Sequence, residues 1–290
     1  MLEFLSYPVS PCPRGTPNPR MSDSTPHLPT PVRAAWDAAG LGEIDGATPI
    51  KHGLTNDSWL VHQRPETFVV RFSNADTQTL QIDRRSEERI LRATAAAGVG
   101  APVVACEPHW RLLVTRYVGA AWSLEAMHER VGMAAIVQLL RRVHAVMPPA
   151  ATERVDLLAA ARGYVSVLLQ HGVHPTLASD ARIDRAAGLN AALRSNAMCL
   201  CHNDVHHLNV VGVIPVLIDW EYAGVGEPFV DLASVCVYHA FTPAQRRELL
   251  ALYLRQTDAG AEHRLEAACW LFDYVRELWL SVRALPAGER

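Results

Sequence analysis

The side chains of His202, Asp204, Asn209 and Asp219 lie close together in the sequence and alternate with apolar stretches. A carboxylate can accept the proton of an attacking hydroxyl group. A second carboxylate and an amide oxygen can hold Mg²⁺ on a triphosphate. The spacing therefore predicts phosphoryl transfer, with Asp204 as the base and Asn209 and Asp219 as the metal ligands. We expect His202 to orient the loop by a hydrogen bond to the backbone near the second apolar stretch.

Two other interpretations of this cluster remain open. Asn and Asp favour turns, so the residues could serve the loop alone. His202, Asp204, His206 and His207 could also bind a transition metal, but their order is H-x-D-x-H-H. A metallohydrolase arrangement would place two histidines before the acid, and no second set of ligands is evident, so this alternative is disfavoured.

A nucleotide site is predicted in the first third of the chain. Gly53, Thr55 and Asn56 lie in a turn-rich loop between strand candidates, where backbone N–H groups could cover phosphates. Arg71 lies inside an apolar run, which favours a guanidinium directed at an anion. We expect Glu87, from the following helix, to pair with Arg71. The alternative is an exposed arginine at a strand edge and a solvated glutamate.

The surrounding pattern predicts the elements that position these residues. The segments 59–61 and 68–72 form a predicted hairpin, and Pro and polar residues connect them. Helical spacing over 82–97 and strand candidates at 103–106 and 112–115 complete a small β-rich region. The remainder is predicted to be helical, except that the two apolar stretches flanking the polar cluster are predicted strands, which makes the cluster a strand–loop–strand unit. Its helices are expected at 133–147, 155–169, 183–193 and 265–282, with a further one opening at Thr242 and Pro243.

We predict a disordered tail over 1–31, because it is rich in Pro, Ser and Thr, and then a first helix over 32–39. The remaining boundaries are expected at 32–116 for a nucleotide-binding lobe and 117–290 for a catalytic and substrate-binding lobe.

The composition of this 290-residue chain limits the kinds of partner that it is expected to bind. A net charge of −3 gives no basic field for nucleic acid, and no apolar run approaches a membrane span. The six cysteines include no C-x-x-C pair, and Cys199 and Cys201 are too close in sequence for easy bridging. A reduced cytoplasmic protein, either monomer or homodimer, without nucleic-acid or membrane partners is therefore expected.

The motif at 202–209, HNDVHHLN, resembles the catalytic loop of the aminoglycoside phosphotransferase / choline kinase superfamily. The segment at 218–224, IDWEYAG, resembles its metal-binding segment. The IDWEYAG motif, together with an arginine (Arg71) at the phosphate-anchoring position, is most similar to the thiamine kinase and choline/ethanolamine kinase branch. The resemblance extends over roughly residues 46–285.

The resemblance implies an α+β, protein-kinase-like fold with a small β-rich N-lobe and a larger, mostly helical C-lobe. It implies ATP and Mg²⁺ as cofactors, with the adenine beside Tyr117 and Val118. Asp231 resembles a family acid that braces the catalytic loop.

The acceptor is predicted to be a small-molecule alcohol, because the residues between Asp219 and Asp231 are too few to seat a peptide. Trp220, Glu221, Tyr274 and Trp279 are predicted substrate contacts. Aromatic faces and a carboxylate would suit a cation such as thiamine or choline. The alternatives are that these aromatics pack in the core, that the acceptor is an aminoglycoside, or that the protein is a pseudokinase-like binding module.

Overall fold

A computed structural model describes residues 28–50, 56–73, 80–173, 176–193, 198–254 and 257–285. The fold is α+β with two lobes. Within the described residues, no helix has both the length and the apolar character needed to cross a membrane.

The N-lobe is built on a five-stranded antiparallel sheet in the order β1-β2-β3-β5-β4. The predicted hairpin is confirmed, since β2 and β3 pair with Gln63 opposite Glu66. Alternation along β3 buries Phe68 and Val70 on one face and places Arg71 on the other. The strands are β1 Gly46–Ile50, β2 Asn56–Gln63, β3 Glu66–Ser73, β4 Val103–Glu107 and β5 Leu112–Arg116.

Helix α1, Thr30–Ala38, covers the outer face of this sheet, where Trp36 packs edge-on against Phe68 at 6.2 Å between ring centroids. The prediction of a disordered tail is wrong for residues 28–31. Leu28 is buried in the same apolar cluster and the helix already begins at Thr30, because a proline at position 31 suits a first helical turn. Residues 1–27 lie outside the described residues.

Helix α2, Arg84–Ala96, packs on the inner face of the sheet. The side chain of Asp83 caps it by accepting a hydrogen bond from the backbone N–H of Arg85. Ile90 and Leu91 enter an apolar cluster that is otherwise built largely by the C-lobe. One apolar cluster therefore extends across both lobes, in addition to the cluster beneath α1.

The C-lobe is mostly helical, and the helices predicted from periodicity are confirmed with ends shifted by a few residues. At the predicted opening of α8, Thr242 and Gln245 form a reciprocal capping box. Its helices are α3 Leu124–His128, α4 Arg130–His144, α5 Leu157–Gln170, α6 Asp180–Leu193, α7 Pro228–Tyr238, α8 Pro243–Tyr253 and α9 Ala259–Arg283.

Helix α7 is the one long element that the sequence pattern did not indicate. Eight of its consecutive residues, from Phe229 to Cys236, are buried, so the helix lacks the apolar stripe that identifies surface helices. Packing on all sides, rather than amphipathic spacing, explains its apolar composition.

The two apolar stretches that flank the polar cluster do not pair with each other. Instead, β6 Cys199–Cys201 pairs with β9 Gly224–Gly226, and β7 Val210–Val211 pairs with β8 Val216–Leu217. The predicted strand–loop–strand unit is therefore two small antiparallel ladders. Each ladder fixes one end of the loop that carries Asp204.

Candidate active site

The imidazole of His202 fixes the loop from within the protein. Its Nε2 donates to the backbone oxygen of Ile218 over 2.9 Å, and its Nδ1 accepts from the backbone N–H of Asp204 over 3.3 Å. The predicted bond to the backbone near the second apolar stretch is thereby confirmed. Burial lowers the pKa of His202 below its usual value, consistent with a neutral ring.

Asp231, at the start of α7, holds the same loop by its backbone. Its carboxylate accepts from the backbone N–H groups of His202 (2.9 Å) and Asn203 (2.7 Å), and from Nε2 of His144 (3.0 Å). Asn203 has a φ of 64°, in the left-handed region. The bracing that the resemblance implied for Asp231 is confirmed by the two bonds to the loop backbone, and the bond from His144 on α4 holds the carboxylate itself.

Both oxygens of Asp204 receive hydrogen bonds. The hydroxyl of Tyr238 donates to Oδ1 over 2.5 Å, and Nδ2 of Asn209 donates to Oδ2 over 3.2 Å. Nε2 of His206 lies 3.6 Å from Oδ2. Burial raises the pKa of Asp204, but His206 and the Tyr238 hydroxyl outweigh it, so the pKa lies below its usual value. Asp204 is therefore a positioned, ionised carboxylate.

Asn209 and Asp219 are brought together by the β7–β8 ladder. Val210 pairs with Leu217, and the backbone N–H of Ile218 donates to the backbone oxygen of Asn209 over 3.0 Å. Asp219 follows Ile218 directly, and its φ of 66° lies in the left-handed region. The arrangement places the two predicted metal ligands at the same end of the ladder.

The donor set fits Mg²⁺. Asn209 directs its amide nitrogen to Asp204, so its amide oxygen takes no part in those bonds. Burial, together with the nearby charge of Glu221, raises the pKa of Asp219 to about 7. Burial and the charge of Glu221 thus outweigh the effect of Arg71 on this carboxylate. Hard oxygen ligands such as these are the ones that Mg²⁺ prefers.

The guanidinium of Arg71 bridges α2 and the C-lobe. It donates to Oε1 of Glu87 over 2.6 Å and to Oδ1 of Asp219 over 2.9 Å. The predicted pairing of Arg71 with Glu87 is confirmed, and the alternative of an exposed arginine is wrong because only 11% of its side chain is exposed. Its Nε is buried without a hydrogen-bond partner, which leaves a donor for a ligand oxygen.

A second set of polar contacts joins the two lobes beside the contact between Arg71 and Asp219. Arg84 donates to Glu87 over 2.8 Å, to Glu221 over 3.0 Å and to the amide oxygen of Asn56 over 3.1 Å. The amide nitrogen of Asn56 donates to Glu221 over 3.0 Å. Asn56, a predicted nucleotide residue, and Glu221, a predicted substrate residue, therefore meet in one buried network between the lobes.

The remaining nucleotide predictions are only partly covered. Gly53 and Thr55 lie outside the described residues. Tyr117 directly follows β5 and is 44% exposed, while Val118 is half-buried. Both lie where the chain passes from the N-lobe to the C-lobe, and their contact with adenine stays a prediction.

The structure does not support Trp220 and Tyr274 as substrate contacts. Trp220 is 1% exposed and its indole N–H donates to the oxygen of Leu217. Tyr274 is 2% exposed and its hydroxyl donates to the oxygen of Leu177. Both aromatic side chains fill the core, which was the alternative interpretation.

Arginines of the protein cover the aromatic residues of α9 that could have bound a cation. The guanidinium of Arg283 lies over Trp279 at 5.9 Å from the ring centroid, and that of Arg182 lies over Tyr274 at 5.5 Å. Trp279 also donates to the hydroxyl of Tyr222 over 2.8 Å. One face of each ring is therefore already in a cation–π contact with an arginine of the protein, which argues against a cage built from Trp279 and Tyr274.

Sequence reasoning missed Tyr238 and gave no role of its own to Arg84. Tyr238 follows Asp231 by seven residues, which is two helical turns, so both lie on one face of α7. That spacing would have identified Tyr238 if the helix had been predicted. Arg84 follows the cap of α2 and precedes Glu87 by three residues, a separation that lets the two side chains pair.

His239 predicts a pH dependence of stability near this loop. Its Nδ1 donates to Val235 and its Nε2 accepts from the backbone N–H of His207, so the folded state requires a neutral ring. Burial lowers its pKa to about 4. The unfolded chain binds the additional proton between about pH 6.5 and 4, so stability falls by up to about 3 kcal/mol as pH decreases through that window.

Thermal melts of the wild type and His239→Gln at pH 7 and pH 5 would measure this contribution. We expect the variant to lose less of its Tm on acidification. His263→Gln, at an exposed position of α9, should keep the wild-type dependence. Equal losses in all three proteins would contradict the assignment.

Comparisons with known proteins agree with this geometry. The phosphotransferase enzyme family model matches residues 46–267. A choline/ethanolamine kinase family protein from Mesorhizobium loti is 25% identical with a TM-score of 0.68, covering 84% of each chain. Choline kinase LicA from Streptococcus pneumoniae is 19% identical with a TM-score of 0.71, covering 87% of this chain and 89% of the other.

Two further structures are similar over most of the chain. LicA in complex with AMP is 19% identical with a TM-score of 0.67, covering 88% of this chain and 91% of that one. The macrolide 2'-phosphotransferase MphH from Brachybacterium faecium is 17% identical with a TM-score of 0.59, covering 88% and 99%. A search of curated proteins gave no significant match. The similarity thus spans both lobes.

Proposed function

The chain belongs to the phosphotransferase enzyme family, and we propose that it transfers a phosphoryl group from ATP, with Mg²⁺, to the hydroxyl group of a small molecule. The observation that carries this proposal is the pair of carboxylates held by one loop and one ladder. Asp204 is fixed by Tyr238 and Asn209, and Asp219 faces Arg71. One carboxylate is arranged to take a proton, and the other lies beside a phosphate-binding cation.

Asp204 is the proposed base. Its lowered pKa keeps it ionised at neutral pH, so it can accept the proton of the acceptor hydroxyl as the new O–P bond forms. The bonds from Tyr238 and Asn209 hold its carboxylate in one orientation. His202 and Asp231 act through the backbone by fixing the loop around it.

Arg71 is the proposed phosphate anchor, and Glu87 sets its position from α2. Asn209 and Asp219 are the proposed ligands of Mg²⁺, which when bound neutralises the charge that gathers on the phosphate oxygens. Tyr117 and Val118 are the proposed neighbours of the adenine, and LicA in complex with AMP supports an adenine nucleotide in this fold.

Replacing Asp219 with asparagine should weaken Mg²⁺-dependent ATP binding at least about tenfold, because loss of a direct carboxylate ligand exceeds the cost of disturbing an outer partner. Calorimetric titration of ATP with and without Mg²⁺ would measure it. Asp273→Asn, the same change at a half-exposed carboxylate of α9, is the control. An unchanged affinity of Asp219→Asn in Mg²⁺ would argue against the role of Asp219.

For the acceptor, we propose a small amino alcohol of the choline or ethanolamine type, with thiamine as a related cation. The choline and ethanolamine kinases among the similar structures support this class. The aromatic residues of α9 give this class little support, because Tyr274 is buried and an arginine already lies over one face of Trp279. The proposal for the acceptor therefore rests on similarity rather than on a cation-binding cage.

A hydroxylated antibiotic is the second candidate, favoured by the macrolide 2'-phosphotransferase that this chain covers almost completely. An ADP-release assay with choline, ethanolamine, thiamine, kanamycin and a macrolide would separate the candidates. Turnover with one of the first three supports the amino-alcohol proposal, and turnover only with an antibiotic overturns it. ATP binding without turnover of any acceptor, repeated with a wider set of alcohols, would favour a pseudokinase-like binding module.

A further inference from the structure

A group of thiol and imidazole side chains lies directly behind the loop that carries Asp204. The Sγ atoms of Cys199 and Cys201 are 3.7 Å apart on one face of β6. His144, near the end of α4, completes the group, and one ligating atom from each of the three residues lies within 4.8 Å of the others. No other group of this kind occurs among the described residues, and the kinase chemistry uses neither thiol.

We propose that Cys199, Cys201 and His144 form a binding site for a thiophilic divalent cation, with Zn²⁺ as the expected occupant. Two Zn–S bonds of about 2.3 Å in tetrahedral geometry place the sulfurs about 3.8 Å apart, close to the separation observed here. Thiolate and imidazole ligands select such metals over Mg²⁺. Three protein ligands leave one position for water.

The local electrostatics favour a cation at this point. Asp231 and Glu227 both act on the two thiols through their charges. The contact with Cys201 lowers the pKa of Cys199, whereas the partner thiol and burial raise the pKa of Cys201. Binding releases both thiol protons to solvent, so the site gains two negative charges as the metal brings two positive ones.

Occupancy would change the contacts of His144 behind the loop that carries Asp204, because both ring nitrogens of His144 are already engaged. Nε2 lies 3.0 Å from Asp231, and Nδ1 lies 2.7 Å from the hydroxyl of Tyr253. A metal bond to either nitrogen replaces one of these contacts. If Nε2 binds the metal, Asp231 keeps only its bonds to the backbone of the loop.

Competition for Zn²⁺ with a chromophoric chelator would test the site in the reduced, full-length protein. Every protein in the series carries Cys12→Ser, so that the thiol at position 12 is absent throughout. We expect the reference protein to bind one equivalent of Zn²⁺, and Cys199→Ser and Cys201→Ala each to weaken binding at least about a hundredfold. His144→Gln should weaken it about tenfold or more.

The control is the other pair of neighbouring thiols, Cys236 and Cys269, which no third ligand joins within the described residues. Cys236→Ala/Cys269→Ala should bind Zn²⁺ as the reference does. Cys199 is partly exposed, so its serine variant should fold even if Cys201→Ala does not, and circular dichroism would verify this. Equal Zn²⁺ affinity in Cys199→Ser and the reference overturns the proposal. The readout needs no kinase activity, so it is independent of the proposed function.

Discussion

Replacing Asp204 with asparagine is expected to lower kcat by about a thousandfold or more, within the range for loss of a general base. Asparagine keeps the shape of the side chain and an oxygen that can accept from Tyr238, but it cannot take a proton at neutral pH. Steady-state rates with the acceptor found in the panel would measure the loss. The affinity for ATP, measured by calorimetry, should change little, because Asp204 is not a proposed nucleotide ligand.

The matched control is Asp37→Asn, the same chemical change on the exposed surface of α1, where Asp37 pairs only with side chains of the N-lobe. It should keep the wild-type rate. Full activity in Asp204→Asn would refute the assignment of the base. A large loss of ATP affinity in Asp204→Asn would show instead that this residue serves nucleotide binding.

Asp231→Ala should cause the largest loss of stability among single substitutions near the site. It removes the acceptor of two buried backbone N–H groups and of His144, and each unsatisfied buried donor costs about 1–3 kcal/mol. We expect the free energy of unfolding to fall by about 3–5 kcal/mol. For a chain of this size the Tm should drop by about 10 °C. Chemical denaturation and thermal melts at pH 7 would measure both.

Asp258→Ala provides the comparison. Asp258 also accepts from a backbone N–H, that of Ala261, but at the exposed start of α9. Loss of such a cap costs about 1 kcal/mol. If the two variants were equally stable, the buried carboxylate of Asp231 would not be the brace that its contacts indicate.

The sequence predicted those parts of the site in which a polar or charged residue lies within an apolar segment. An arginine inside an apolar strand needs an anion, and Arg71 indeed pairs with Glu87 and Asp219. His202 was placed correctly for a similar reason, because a histidine next to an apolar strand must satisfy both ring nitrogens. Polar residues in apolar surroundings thus carry much of the positional information.

The sequence could not predict the parts that depend on packing. Tyr238 reaches Asp204 only because α7 is buried on all sides, and such a helix has no periodic signal. Trp220 and Tyr274 were expected at the substrate but lie in the core. The presence of a large aromatic residue in the sequence does not tell whether its side chain faces the core or the site. The contacts between Arg84, Glu221 and Asn56 join residues far apart in the chain, which no local pattern records.

Helix α2 carries an ion-pairing residue and two core residues that are about one helical turn apart. Glu87 holds the guanidinium that faces Asp219, and Ile90 and Leu91 lie in the core that both lobes share. Closely packed interiors transmit strain, so a change in packing around Ile90 is expected to move Glu87 with it. Any repacking of the C-lobe around Ile90 is therefore transmitted to the guanidinium of Arg71. Substitutions beneath α2 should therefore shift Arg71, the proposed phosphate anchor, without contacting the ligand.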